Sequence, residues 1–309
     1  MNFDLLKQTI EKNSIDLSEE FKRIFHGRGE YYEGFSFLTI DSIDDILNVA
    51  FYKEISKDDE NTLLDILKEF IKTSRHNTIN LQRRYITKAP SQLIVGDIKE
   101  DLYAIENGLK FTLDLKSHQN NGYFPDMKNG RAYIKSIAKD KNVLNLFSYT
   151  CGFSLSAASS DASSVYNIDM SKGALTKGRT NHHLNNISTH NIYFGPYNIL
   201  KSFSKIRKKA PYDIIIIDPP TFQKGSFEAT KDYTKIIRRL EEIASDNCTI
   251  LACINSPFLD ENFLIDLFKE HCPTFKYEKR LKNCEEFICV DESKSLKNLV
   301  FKKNNSSYC

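Results

Sequence analysis

A chain of 309 residues, 40% apolar and 27% charged, has enough material for one large domain, or one domain with a smaller companion, around a real hydrophobic core. Its net charge of +2 excludes the global electrostatic footprint of a strongly basic nucleic-acid binder, although basic residues cluster at Arg83 with Arg84 and at Lys205, Arg207, Lys208 and Lys209, as a solvated face or a binding stripe. Seven cysteines with no CxxC pair argue against a disulfide framework or a zinc site, and the sequence shows neither a signal peptide nor a run of about 20 apolar residues, so the expected setting is the cytoplasm, away from membrane.

In chain order, residues 2 to 25 carry apolar side chains at helical spacing (Phe3, Leu5, Leu6, Ile10, then Leu17, Phe21, Ile24, Phe25) before "HGRGEYYEG" interrupts them. "FSFLTIDSIDDILNVAFYK" places two apolar runs around an acidic turn and predicts a hairpin. "DENTLLDILKEFIKTS" presents one apolar stripe and predicts a helix. "NTINLQRRYI" and "DLYAIENGLKFTLDL" predict further strands, the second with a tight turn at its "ENG". This order suits a small α+β domain over residues 30–108, after an N-terminal helical segment 1–29 and before a larger domain over 109–309.

From about residue 125 strands and helices alternate. The predicted strands are 143–147, 164–169, 191–195, 213–218 and 249–255, with helical segments near 152–159, 172–186, 198–208 and 231–245; "FKYEKRL" and "NLVFKK" add two more strands. Near-continuous apolar strands separated by helices predict an α/β fold with a seven-stranded, mainly parallel sheet covered on both faces. Ligands of such sheets bind outside the carboxyl ends of the strands.

Those ends carry chemistry. The first runs into "NLFSYTCGFSLSAA", a small-residue turn before a helix, with Gly152 but no GxGxxG. The second ends at Asp169, placed to accept both hydrogens of a ribose diol or to cap the next helix. The third ends near Asn198, whose carbonyl can accept an amino hydrogen of adenine or serve as a cap. The fourth ends in Asp218-Pro219-Pro220-Thr221-Phe222. Two prolines fix φ and remove two N–H donors, which leaves a rigid rim of acceptors beside an aromatic ring suited to a planar base. Lys224 and Asp232-Tyr233 follow as RNA contacts or as solvated loop residues.

Taken together, "NLFSYTCGFSLSAA", "NIDMS" and "DIIIIDPPTF" resemble class I S-adenosylmethionine-dependent methyltransferases with a Rossmann-like fold. They resemble more closely the bacterial large-subunit ribosomal RNA methyltransferases, whose branches include guanine-7 and cytosine-5 modifiers. Gly122, Tyr123, Phe124, Asp126 and Arg131 match a further segment of that family, and the resemblance spans about residues 30 to 260. It implies S-adenosyl-L-methionine as cofactor and RNA as partner. It also implies that Phe124 and Asp126 enclose the cofactor, that the loop from Asn145 to Gly152 with Ser148 and Thr150 holds its methionine side, that Asp169 with Met170 holds the ribose, and that Asn198 faces the adenine. The resemblance places catalysis on Asp218, Pro219 and Phe222, with Asp218 also bordering the cofactor. Three positions depart from the family: Cys151 stands for a second glycine, Asn198 for an acid and Met127 for a polar residue.

Methylating carbon-5 of a pyrimidine needs a cysteine that adds to the ring. The branch that does so has it at the end of the fifth strand, where this chain has Asn255, with Cys253 two residues deeper. Ring nitrogen-7 of guanine has its own lone pair and needs no adduct, so guanine-7 is favoured. Amino-group methylation is the rival, set back by Thr221 between the prolines and Phe222. A non-catalytic RNA-binding protein with a decayed fold is the remaining alternative.

Overall fold

The computed structural model describes residues 1–116, 120–223 and 227–303, without the side chains of Phe222 and Gln223. It divides into two compact units. The first comprises Met1–Pro125 together with Cys284–Asp291; the second comprises Asp126–Asn283 and the chain from Glu292 onward.

The first unit contains α1 (Phe3–Asn13), β1 (Lys22–His26), β2 (Leu38–Ile43), β3 (Ile46–Phe51), α2 (Lys57–Ile71), β4 (Thr78–Arg83), β5 (Ser91–Val95), β6 (Tyr103–Glu106) and β7 (Leu109–Thr112). Strands β1 to β5 form one sheet in sequence order. The β2–β3 hairpin turns at the acidic pair, with Asp44 at φ 52°. Helix α2, capped by Ser56 Oγ on Asp59 N–H, is the crossover that lets β3 and β4 run parallel. It buries Leu63, Leu64 and Leu67 in a cluster with Val49, Ile79 and Leu81. β6 and β7 pair through Asn107-Gly108, both left-handed, as a two-residue hairpin of the primed type requires. Helical spacing holds only through Asn13. Lys22–His26 is instead a strand, because its alternating residues pair with β2 in an antiparallel ladder.

The second unit contains α3 (Lys128–Ile137), β8 (Asn142–Leu146), α4 (Gly152–Ala158), β9 (Ser164–Asp169), α5 (Lys172–Leu184), β10 (Ile192–Pro196), α6 (Phe203–Arg207), β11 (Tyr212–Ile217), β12 (Phe222–Gln223), β13 (Phe227–Glu228), α7 (Ala229–Ile237), β14 (Ala244–Ile254), α8 (Glu261–His271), β15 (Phe275–Arg280) and β16 (Lys297–Lys303). Seven strands make the expected sheet in the order β10-β9-β8-β11-β14-β16-β15. The first five run parallel, and β16 is antiparallel to both its neighbours.

The four isoleucines of β11 divide between the two faces. Ile215 and Ile217 join one cluster with Tyr233, Ile236 and Phe268; Ile214 and Ile216 join another with Ile134, Val143 and Phe153. Burial on both faces is why this strand reads as a continuous apolar run. After β8 the chain builds β9 and β10 on one side, then returns to place β11 on the other. The topological switch therefore lies at the carboxyl ends of β8 and β11. The helix expected over 198–208 covers only Phe203–Arg207, because Asn198 opens a turn that returns Lys201 N–H to its own carbonyl. Among the described residues no helix is long and apolar enough to cross a membrane.

Candidate active site

At the switch, β8 runs into a loop in which Phe147, Tyr149 and Cys151 all have positive φ, at 58°, 45° and 62°. Left-handed backbone costs a non-glycine residue about 1–2 kcal/mol, so it persists only where the surroundings fix it. Here Ser148 N–H donates to Ile168 O, Tyr149 N–H to Asp169 Oδ2, and Asn181 Nδ2 to Thr150 O. Ser148 and Thr150 are buried. Cys151 thus holds the conformation that a glycine would adopt without strain, and its thiol has been accommodated elsewhere. A Cβ on Gly178 of α5 would lie 2.9 Å from Cys151 Cβ and overlap its sulfur. Gly178, unfavourable by about 1 kcal/mol inside a helix, clears the space that Cys151 fills. We expect Gly178→Ala to destabilise the protein by about 1–3 kcal/mol and Cys151→Gly to abolish most of that cost in the double variant. Thermal denaturation of the four proteins measures this, and strictly additive changes would disprove the pairing.

Below the loop runs a buried chain of side chains. Asn145 Nδ2 donates to Asn167 Oδ1 across β8 and β9, Asn167 Nδ2 donates to Ser154 Oγ, and Ser154 Oγ lies 3.0 Å from His182 Nε2. His182 Nδ1 lies 2.7 Å from Gly178 O and burial lowers the ring's pKa, so a neutral ring donates from Nδ1 and accepts at Nε2. At the other end Asn145 Oδ1 is buried and has no hydrogen-bond partner among the described residues.

Asp169 ends β9. Its Oδ2 accepts Tyr149 N–H at 2.9 Å and its Oδ1 accepts Ser171 N–H at 2.8 Å. Both oxygens are thereby oriented, and each keeps a lone pair for an outside donor such as a ribose hydroxyl. The cap of α5 is Ser171, not Asp169. Met170 is 49% exposed beside it, and Asn198 Nδ2 approaches Met170 Sδ at 3.5 Å. Asn198 Oδ1 accepts Lys201 N–H at 3.1 Å, so this residue does serve as a turn cap, with one lone pair left for a base amino group.

Across the switch, Asp218 stands at the end of β11 with Pro219 buried behind it. Loss of water and the negative charge of Asp126 raise its pKa from 3.8 to about 7, against the opposing pull of Arg131. Arg131 itself is almost fully buried on α3. Asn255, just past β14, donates from Nδ2 to Asp126 Oδ2 at 3.3 Å, and its own carbonyl accepts Thr221 Oγ at 2.9 Å. The loop after β11 and the loop after β14 are tied to each other, and the second is tied to Asp126. Cys253 is fully buried among Leu251, Val300 and Ile216, and burial with the two nearby acids raises its thiol pKa well above the ordinary value. Phe222 belongs to a two-residue strand paired with β13; its side chain and Lys224 lie outside the described residues. Phe124 is 42% exposed and belongs to the first unit.

Two residues read as possible RNA contacts have other duties. Tyr233 is completely buried, and its hydroxyl is shared between Ile217 O at 3.0 Å and Cys253 O at 3.2 Å, which pins the ends of β11 and β14 together. Its spacing with Ile236, Ile237 and Leu240 on a helical stripe was the available signal. Asp232 accepts Glu228 N–H and pairs with Lys235, closing the first turn of α7. Lys297, at the start of β16, has no sequence signal at all. It is fully buried and donates from Nζ to Ser256 O at 2.7 Å.

With this geometry in place, the family profile described as S-adenosylmethionine-dependent methyltransferase matches residues 22–302. The chain belongs to the S-adenosylmethionine-dependent methyltransferases. Ribosomal RNA large subunit methyltransferase K/L of Pseudoalteromonas translucida is 35% identical over 58% of this methyltransferase and 27% of its own length. YwbD of Bacillus subtilis, provisionally named as a ribosomal RNA large subunit methyltransferase, is 28% identical over 89% of the chain and 70% of its own. The chain thus spans about a quarter of the first relative and about two thirds of the second. Among solved structures, SMU.776, provisionally named as a methyltransferase and solved with SAH, superposes with a TM-score of 0.86 at 24% identity, over 98% of this chain and 82% of that one. A provisionally named SAM-dependent methyltransferase from Streptococcus mutans gives 0.83 at 25% identity, over 97% and 80%. S-adenosylmethionine is the cofactor of the family. The twice-oriented carboxylate of Asp169 fits the ribose hydroxyl donors such a molecule carries.

Proposed function

We propose that this methyltransferase modifies a base of large-subunit ribosomal RNA in the cytoplasm, at ring nitrogen-7 of guanine. The observation that carries the choice of atom is the end of β14. Carbon-5 chemistry needs a thiolate that can reach the ring. Asn255 stands at the accessible position, and the thiol of Cys253 is sealed in an apolar cluster and held neutral. The names of the relatives support ribosomal RNA as the substrate class.

When bound, S-adenosylmethionine supplies a methyl group on a positively charged sulfur, already a strong electrophile. The protein's residues then have to orient the base, hold it in line and exclude water, effects that together supply on the order of 7–11 kcal/mol in oriented reactions. Asp169 and the loop after β8 hold the donor. Asp218, Thr221 and Asn255 form the rim against which a base is oriented, and the proline pair stiffens that rim.

A second reading, transfer to an amino group, draws on one observation. Asp218 is poised near neutral pH beside Asp126, as a proton acceptor would be, and nitrogen-7 requires none. Mass spectrometry of nucleosides from ribosomal RNA of cells with and without this chain separates the two. Loss of 7-methylguanosine is expected; loss of an N-methylated amino nucleoside would establish the second reading. In the same assay Cys253→Ala is expected to keep activity within about threefold, since no covalent step runs through it. A trapped covalent complex with fluorinated cytosine RNA would overturn the guanine assignment.

A further inference from the structure

One large apolar side chain shortly past β14 faces water. Phe258 is 91% exposed, the most exposed of the described large apolar side chains. It follows Asn255 by three residues, a reach of at most about 11 Å from the residue that binds Asp126. Its neighbours behave in the opposite way: Leu259 packs on the core, and Asp260 caps α8 through Phe263 N–H.

The backbone presenting Phe258 is fixed from below. Pro257 restricts φ, Phe258 N–H donates to Ser256 Oγ at 3.3 Å, and Ser256 is buried. Ser256 O receives the fully buried ammonium of Lys297 at 2.7 Å. Burying a lysine is costly, and one of its hydrogen bonds serves this loop. A rigid pedestal, a flat apolar ring facing water and an adjoining rim of hydrogen-bonding groups is the arrangement that takes an unstacked base.

We infer that Phe258 is a stacking platform for a base of single-stranded RNA lying beside the target nucleotide. The inference rests on the proposed RNA substrate. Lys297 and Ser256 are positioning residues for the platform.

The test uses the full chain and a short single-stranded RNA containing 2-aminopurine, whose fluorescence is quenched by stacking. Wild-type protein is expected to bind and quench. Phe258→Ala is expected to bind about tenfold to a hundredfold more weakly with the quench lost. Phe258→Tyr should restore both and Phe258→Leu neither, because the ring and not apolarity alone is required. Calorimetric affinity for S-adenosylmethionine should be the same in all four proteins. Equal RNA binding by wild type and Phe258→Ala overturns the platform and leaves the RNA substrate standing. Rescue by Leu, or loss of cofactor binding in the Ala variant, overturns it as well, in favour of a protein contact or a structural role. Failure of the wild-type chain to bind RNA at all removes the substrate reading and the platform together.

Discussion

Asp218→Ala is expected to slow methyl transfer about a hundredfold, through loss of base orientation, while S-adenosylmethionine binds within about threefold of its wild-type affinity. The expectation follows from placement. Asp218 lies at the tip of a strand whose direction is fixed by burial on both faces, with Pro219 and Pro220 immediately after it. Single-turnover assays at saturating cofactor, with calorimetry for affinity, measure both halves. Wild-type turnover in this variant would remove Asp218 from the mechanism.

The same residue predicts a pH signature. The folded state holds Asp218's proton up to about pH 7, whereas the unfolded chain releases it near the ordinary 3.8. Folding therefore gains from this group below about pH 4, and the gain is lost as the pH rises through about 7. Asp218→Asn carries a neutral side chain of similar shape and should be stabilised relative to wild type increasingly across that window. Melting temperatures of the two proteins, compared at several pH values, test it. A difference that does not change with pH would mean that loss of water and the charge of Asp126 do not hold the proton on this carboxyl.

Asp169→Ala has its largest effect on the cofactor. Affinity for S-adenosylmethionine should fall about a hundredfold, because two charge-assisted hydrogen bonds to a diol disappear together. A second loss adds to the first. Tyr149 N–H donates to Asp169, and this bond helps to hold three left-handed residues in place. Without it the loop can relax toward ordinary backbone. Asp169→Asn should recover little, since its amide nitrogen would face either Tyr149 N–H or Ser171 N–H. Calorimetric titration decides, and undiminished affinity in Asp169→Ala would separate Asp169 from the ribose.

The strand ends were legible because each follows a run of apolar residues whose burial is dictated by composition alone. Asp169 and Asp218 are conspicuous as acids at the tips of such runs, and the structure sets Asp218 beside Asp126, Arg131 and Asn255. What could not be read depends on neighbours distant in sequence. Gly178 looks like a helix defect until Cys151 is seen against it. Asn145 and Asn167 look like ordinary polar residues until strand register places them side by side. Tyr233 looks like a base-stacking aromatic after a proline loop; its helical spacing hints at the core, and its hydrogen bonds to Ile217 O and Cys253 O show that it ties two strand ends. Lys297 opens a strand like any surface lysine would, and a backbone carbonyl 41 residues earlier accounts for its position. The long N-terminal helix failed for a related reason: apolar residues of β1 recur at a spacing that suits a helix, and the antiparallel partner that overrides it lies farther along the chain.

The first unit is not continuous in the chain. Cys284–Asp291 belongs to it: Phe287 packs on His26 and lies under the Arg23 guanidinium at 4.7 Å, Val290 N–H donates to Gly29 O, and a Cβ on Gly29 would overlap Ile288 O. During synthesis the amino-terminal part of this unit emerges first but stays incomplete until residues 284–291 have been made. Domains usually finish in the order of translation. Here the second unit's strands β8 to β15 are all made before the first unit receives its last segment, so the first unit cannot finish ahead of them. A chain cut short before residue 284 would expose the sites on His26, Arg23 and Gly29 that the returning segment covers.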